Sequence, residues 1–281
     1  LLARRVTTRL ESWGIRVDDS AGRPFAKTVP GAFLDLVIEA VHRDFAPPQL
    51  TALLKHPLTR LGLGAFEVRR AARALELAAF RADYFGIGLD GVETALAEAR
   101  LETGANERRE RRSRAVQRLW DEDWDGAQDL VVRLKSAFAP LEKLYQSGTP
   151  SSLGELAAAH IAVAEALATH PIETEAEAAE EPATGSRATR QQKTPAPIDT
   201  NSPVGAGGES SDEGHEVSEI MSPLYRGEAG DAASGRFTGL IEQNLPQLTL
   251  KPADYADFYR SLIVGLNVRP RVPVHPRLSI W

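Results

Sequence analysis

The sequence predicts a mainly α-helical protein, with one long polar stretch inside the chain and a strand-like piece near each end. Three observations carry this. Apolar residues recur at i, i+3 and i+4 through most of the chain, which places them on one buried stripe of a helix. Capping residues and Pro stand ahead of these stripes, and Gly or Pro behind them. Residues 172–221 hold almost no aromatic or large aliphatic side chain and are rich in Pro, Gly, Ser, Thr and Glu. Such a stretch cannot bury enough apolar surface to offset the entropy of ordering, so it is expected to act as a mobile acidic linker.

The elements follow in order. Residues 4–14, RRVTTRLESWG, read as a short helix closed by Gly14. Residues 15–19, IRVDD, read as extended, and SAGRP, 20–24, as a turn. Thr28 and Pro30 announce the next helix, in which Phe33, Leu34, Val37, Ile38, Val41 and Phe45 share a stripe. PPQLTALLKHP, 47–57, is a short helix stopped by Pro57. Residues 64–85 are Ala-rich with Leu at helical spacing, and a further helix is expected over 126–145. Ser152 and Glu155 form a capping box. It opens a helix carrying Leu153, Leu156, Ile161, Ala164 and Leu167, which Pro171 ends. Phe237, Leu240, Ile241 and Leu245 mark another helix. Pro252 opens the last one, with Tyr255, Phe258, Tyr259 and Leu262 on a face and Gly265 as the stop. The expected interior is Phe33, Leu34, Val37, Leu53, Leu75, Leu156, Ile161, Phe258 and Leu262.

The net charge of −6 is unevenly placed. Residues 1–171 carry 23 basic and 23 acidic side chains, 172–221 carry 3 and 11, and 222–281 carry 7 and 5. The negative balance therefore sits in the linker, and the rest neither demands nor forbids a nucleic-acid partner. Cys is absent, which excludes disulfides, thiolate metal sites and Cys nucleophiles within this chain. No apolar run approaches the ~20 residues that cross a bilayer. A cytoplasmic location and no membrane partner are expected.

Catalytic patterns are missing from the sequence. There is no G-x-x-x-x-G-K-[ST] loop and no G-x-S-x-G elbow. The six His are scattered at 42, 56, 160, 170, 215 and 275 without metal-ligand spacing. The acidic run WDEDWDGAQD, 120–129, has two readings. Its carboxylates could hold Mg²⁺, or they could sit in the first turn of the next helix and favour its dipole, with Trp120 and Trp124 packing inward. The basic run ERRERRSRAVQR, 107–118, also has two. On a helix Arg108, Arg111 and Arg112 make a positive ridge that could grip phosphates. Alternatively it is a solvated face laced by Glu107–Arg111 and Glu110–Arg114 pairs. The ridge is the candidate nucleic-acid-binding site. No catalytic and no metal residue is assigned.

Three stretches together resemble a known family. Residues 3–34, ARRVTTRLESWGIRVDDSAGRPFAKTVPGAFL, are similar to the start of the second RecA-like lobe of UvrD-type superfamily-1 helicases. With LTALLKHPLTRLG (50–62), LYRGEAGDAA (224–233) and YRSLIVGLNVRPRVPVHPRLSIW (259–281), the chain resembles the B subunits of alphaproteobacterial AddAB helicase–nucleases, which process DNA double-strand breaks. The resemblance implies a helical insertion domain within the second RecA-like lobe. Residues 1–28 would begin that lobe, 29–171 and 222–266 would form the insertion, 172–221 the linker, and 267–281 the return to the lobe. Both ends of the chain would then lie inside the lobe, and residues near 15–18 and 277–280 would be extended and close together.

The resemblance further implies DNA and an AddA-type helicase–nuclease subunit as partners. No cofactor would belong to this chain, and ATP, Mg and an iron–sulfur cluster would belong to other parts of the complex. The competing expectation is a freestanding helical protein-interaction domain with no DNA role.

Overall fold

The structure is a computed structural model that describes residues 2–14, 17–19, 22–81, 84, 86–104, 113–171, 223–242, 248–269 and 278–280. The expected linker, 172–221, lies outside them. The described residues are mainly helical. Helix α1 spans Leu2–Glu11, α2 Val29–His42, α3 Pro47–Leu54, α4 Ala65–Leu75, α5 Gly88–Gly104 and α6 Asp121–Ser147. Helix α7 spans Leu153–Ala168, α8 Gly227–Glu242 and α9 Pro252–Ile263. Six strands of two or three residues pair into three two-stranded sheets among the described residues. The residues on either side of the linker, up to Pro171 and from Met221, belong to one compact unit.

Helix α2 lies at the centre and meets α3, α6, α7, α8 and α9. Its start follows from sequence. The Thr28 hydroxyl accepts from the Gly31 N–H at 3.1 Å, and Pro30 needs no donor in that first turn. All six residues of the expected stripe, Phe33, Leu34, Val37, Ile38, Val41 and Phe45, are buried. Each such side chain contributes about 1.5–3 kcal/mol when fully buried. Around α2, helix α4 packs on α6, α6 on α7, and α7 on α8.

Helix α6 begins at Asp121, earlier than the expected 126, and places Asp121, Glu122 and Asp123 in its first turn. Negative charge there suits the positive end of the helix. Of the two Trp expected to pack, Trp124 is buried, whereas Trp120 at the N-cap is 73% exposed. The cap position precedes the helical face, so periodicity does not govern it. The Ser152–Glu155 box forms as expected: Ser152 Oγ accepts from Glu155 N–H at 3.2 Å, and Glu155 accepts from Ser152 N–H at 3.0 Å.

Four expectations are corrected. Helix α4 passes into a π turn over Glu76–Phe80, short of residue 85, and Leu77, Ala78 and Ala79 are all buried there. Helix α5 was not expected. Gly88 and Gly91 weaken its propensity, yet Leu89, Val92, Leu96 and Ala99 form its buried stripe. Ile161 is only half-buried, because α7 turns His160, Val163, Ala164 and Leu167 inward. Phe258 and Leu262 are half-buried as well, since Tyr255, Tyr259 and Ile263 take the inner face of α9.

Two of the small sheets tie chain segments that are far apart. Strand β2 (Arg23–Pro24) runs antiparallel to β5 (Asn267–Val268), and β3 (Ser151–Ser152) antiparallel to β4 (Thr249–Leu250). The third joins the regions near the two ends. Strand β1 (Val17–Asp19) pairs in parallel with β6 (Leu278–Ile280), in the register Val17 to Leu278, Asp18 to Ser279 and Asp19 to Ile280. The expected closeness of residues near 15–18 and 277–280 is observed.

Candidate nucleic-acid interface

The Arg108, Arg111 and Arg112 ridge lies outside the described residues. Its C-terminal continuation is described and is not α-helical: residues 114–115 form a turn and Val116–Arg118 a single 3-10 turn. Helical spacing therefore does not run through Arg114 and Arg118, both of which are exposed. Arg118 and the exposed Trp120 line an open depression with Gln117, Leu119 and Asp121.

The acidic run is drawn into ion pairs. Asp123 pairs with Arg70 of α4 at 2.5 Å and accepts from its own helix cap, the Trp120 N–H, at 2.9 Å. Asp125 pairs with Arg100 at 2.7 Å, and Asp129 with Arg133 at 2.6 Å. Burial raises the Asp123 carboxyl, but the cap and Arg70 outweigh it and hold the group below its ordinary range. Among the described residues no cluster of three or more His, Cys, Asp or Glu side chains is arranged to hold a metal. With no Cys in the sequence, this chain offers no thiolate to an iron–sulfur cluster.

Two polar constellations hold the helices together. His160 is fully buried where α7 faces α2 and α9. Its Nε2–H donates to the Leu34 carbonyl at 2.9 Å, and Nδ1 accepts from the Tyr255 hydroxyl at 3.2 Å. Phe237, Tyr255 and Tyr259 meet its ring edge to face. Burial lowers its pKa to about 4, against a smaller opposing effect of the Leu34 carbonyl, so the ring is neutral at pH 7.

The second constellation is Arg260 of α9. It reaches Asp35 at 2.7 Å and also pairs with Glu39, both on α2. Burial pushes Glu39 up, but hydrogen bonds from Arg260 and Arg43 bring it net below its ordinary value. Replacing Arg260 by Ala is expected to cost about 1–3 kcal/mol, the scale of lost hydrogen bonds to charged groups. The urea midpoint should fall with the slope unchanged. A midpoint shift worth under ~0.5 kcal/mol would show a pair equivalent to open solvent contact.

Three cations that sequence reading did not single out converge at the α3–α4 turn. Lys55, His56, Thr59, Arg60, Val68 and Arg69 line a cleft of about 110 Å³. Lys55 is engaged by Glu76 at 2.8 Å. Among the described residues the Arg60 guanidinium donates only to the Thr59 carbonyl, at 3.2 Å, and the Arg69 guanidinium only to the Ala65 carbonyl, at 2.9 Å. Neither guanidinium has a carboxylate partner among the described residues. The Pro57 stop and the KHPLTR turn were visible in the sequence, but only the fold brings Arg69 of the next helix beside Arg60.

None of the helices among the described residues is long and apolar enough to cross a membrane. The chain matches no family model, no curated protein and no solved structure.

Proposed function

We propose that this chain is a non-catalytic helical segment of an AddB-type subunit, in an ATP-dependent DNA helicase–exonuclease that processes double-strand breaks for recombinational repair. The observation that carries the reading is the parallel pairing of β1 with β6. Parallel strands occur almost only inside larger sheets covered by helices on both faces. A lone pair of three-residue parallel strands leaves its outer edges without partners among the described residues. Parallel strands also need a crossover between them. Here the helical body is that crossover, so the chain leaves one strand, builds the body and returns to the neighbouring strand. An insertion into a parallel RecA-like sheet requires this route, and the family resemblance supplies the identity of that sheet. The insertion would position DNA and the AddA-type partner rather than perform chemistry.

Sequencing the gene on both sides tests this. The reading frame is expected to continue upstream of Leu1 and past Trp281, with further RecA-like strands and a nuclease motif downstream. A frame that starts and stops near these residues would instead favour a freestanding helical interaction domain.

A further inference from the structure

The cleft between the end of α3 and the start of α4 brings together two arginines that have no carboxylate partner among the described residues. Several arginines elsewhere face a carboxylate: Arg70 faces Asp123, Arg81 faces Glu76, Arg100 faces Asp125, Arg133 faces Asp129 and Arg260 faces Asp35. Arg60 and Arg69 instead line one small concavity together. Desolvation and then the charge of Arg69 hold Arg60 below its ordinary value. The nearby carboxylate of Glu67 is turned to the Gly64 N–H at 2.8 Å and serves as a helix cap.

The backbone that holds Arg60 is pinned. Arg60 N–H and Leu61 N–H both donate to the Leu167 carbonyl, at 2.7 and 2.9 Å, and Gly62 N–H donates to Thr169 at 2.7 Å. These bonds satisfy open carbonyls at the end of α7. Arg133 donates to the Leu61 carbonyl at 2.9 Å, and Thr59 Oγ1 donates to the Leu53 carbonyl at 2.6 Å. Leu61 is held at φ 54°, a left-handed conformation that costs a non-Gly residue free energy and persists only where its surroundings enforce it. Two like charges at one opening, Arg60 on this pinned turn and Arg69 on the regular helix α4, suit an anion. Guanidinium groups suit phosphate oxygens in particular, because their donors form a planar fork. On α4, Phe66 lies one turn before Arg69 and is 74% exposed. Its ring is free to take a stacked base.

We propose that Arg60 and Arg69 bind a phosphate group in this cleft, supplied by the phosphodiester backbone of a nucleic-acid strand with one base stacked on Phe66. The source of the phosphate rests on the DNA reading given above. The anion site itself does not. Lys55 and His56 also line the cleft.

The test uses the 281-residue chain, the Arg60→Gln/Arg69→Gln double variant and Phe66→Ala. Thermal midpoints are measured in sodium phosphate and in sodium chloride at equal ionic strength. Binding of a labelled mixed-sequence single-stranded oligonucleotide is followed by anisotropy across a salt series. Phosphate should raise the wild-type midpoint above its value in chloride, and the double variant should keep only the smaller, general stabilisation that phosphate gives any folded protein. In chloride the double variant should melt no lower than wild type, because a repulsion has been removed. Oligonucleotide affinity should fall at least about tenfold in the double variant, and its salt slope should drop by roughly 0.7 per lost contact. Phe66→Ala should weaken the oligonucleotide about tenfold and leave the phosphate effect intact. A phosphate effect on the midpoint that is equal in wild type and double variant overturns the proposal. A phosphate effect that needs both arginines, with no oligonucleotide binding in wild type, keeps the anion site and removes the nucleic-acid source together with the DNA reading.

Discussion

His160→Ala is expected to lower the free energy of unfolding by about 3–5 kcal/mol. Truncating a large, fully buried ring leaves a cavity, a change that costs on this scale by itself. The Tyr255 hydroxyl loses its acceptor and the Leu34 carbonyl its donor, and each buried group left unpaired adds about 1–3 kcal/mol. Partial collapse of the site offsets some of that sum. Urea denaturation at pH 7.5 measures the loss, and a cost under ~1 kcal/mol would mean that the ring does not bridge the three helices.

The same ring makes stability depend on pH. Its folded pKa is about 4 and its ordinary value 6.5, so in this window the unfolded chain binds more protons than the folded one. Stability is therefore full above pH 6.5 and falls as pH drops toward 4. At 1.36 kcal/mol per unit, His160 alone accounts for about 3 kcal/mol of that fall. His56 is lowered to about 4 by burial as well and adds in the same direction, less strongly because it is partly exposed. The lowered carboxylates, Glu39, Glu76 and Asp123, lose their contribution only at lower pH, as they protonate through their folded values. His160→Gln should flatten the profile between pH 7 and 4.5. An unchanged profile would assign the acid sensitivity to other groups.

Gly31→Ala is expected to cost about 2–3 kcal/mol, although Ala is the better helix former. A Cβ on Gly31 would overlap the Phe25 carbonyl and come within 3.1 Å of Thr28 Oγ1. The obstacle is backbone. The Phe25–Lys27 turn is anchored by the buried Phe25 and by its N–H bond to Leu266 at 2.7 Å. Relieving the overlap has to move that turn or the start of α2, and overpacking of this kind costs about 1–3 kcal/mol or more. Gly235, inside α8, is the control, since a Cβ there meets nothing within 4 Å. Gly235→Ala should stabilise by up to ~1 kcal/mol through propensity alone. Equal responses at the two positions would contradict the close approach of Phe25 to α2.

The parts of the fold legible in sequence were those in which one local signal decides the outcome. Thr28 with Pro30, and Ser152 with Glu155, each set a helix start through contacts within four residues. The α2 stripe was legible because six large apolar residues leave one face to bury. Tertiary competition hid the rest. His160 takes an inward position that Ile161 was expected to hold, because Leu34 and Tyr255 satisfy its nitrogens, and neither is near it in sequence. Strands β2 to β5 are two residues long, and pairings that short carry no period to read. The Arg60–Arg69 cleft was invisible for a similar reason: a helix stop and the next helix's second turn come together only once residues 60–62 are bonded to the end of α7.

The proposed function places this helical body in a DNA-processing subunit. The most direct measurement is ATP-dependent degradation of linear duplex DNA by the native protein, isolated from its source cells through a tag with its partners attached. A helicase–nuclease subunit is expected to co-purify, and linear duplex is expected to be degraded when ATP is added. Recovery of the protein with partners that neither hydrolyse ATP on DNA nor degrade it would rule out a helicase–nuclease subunit.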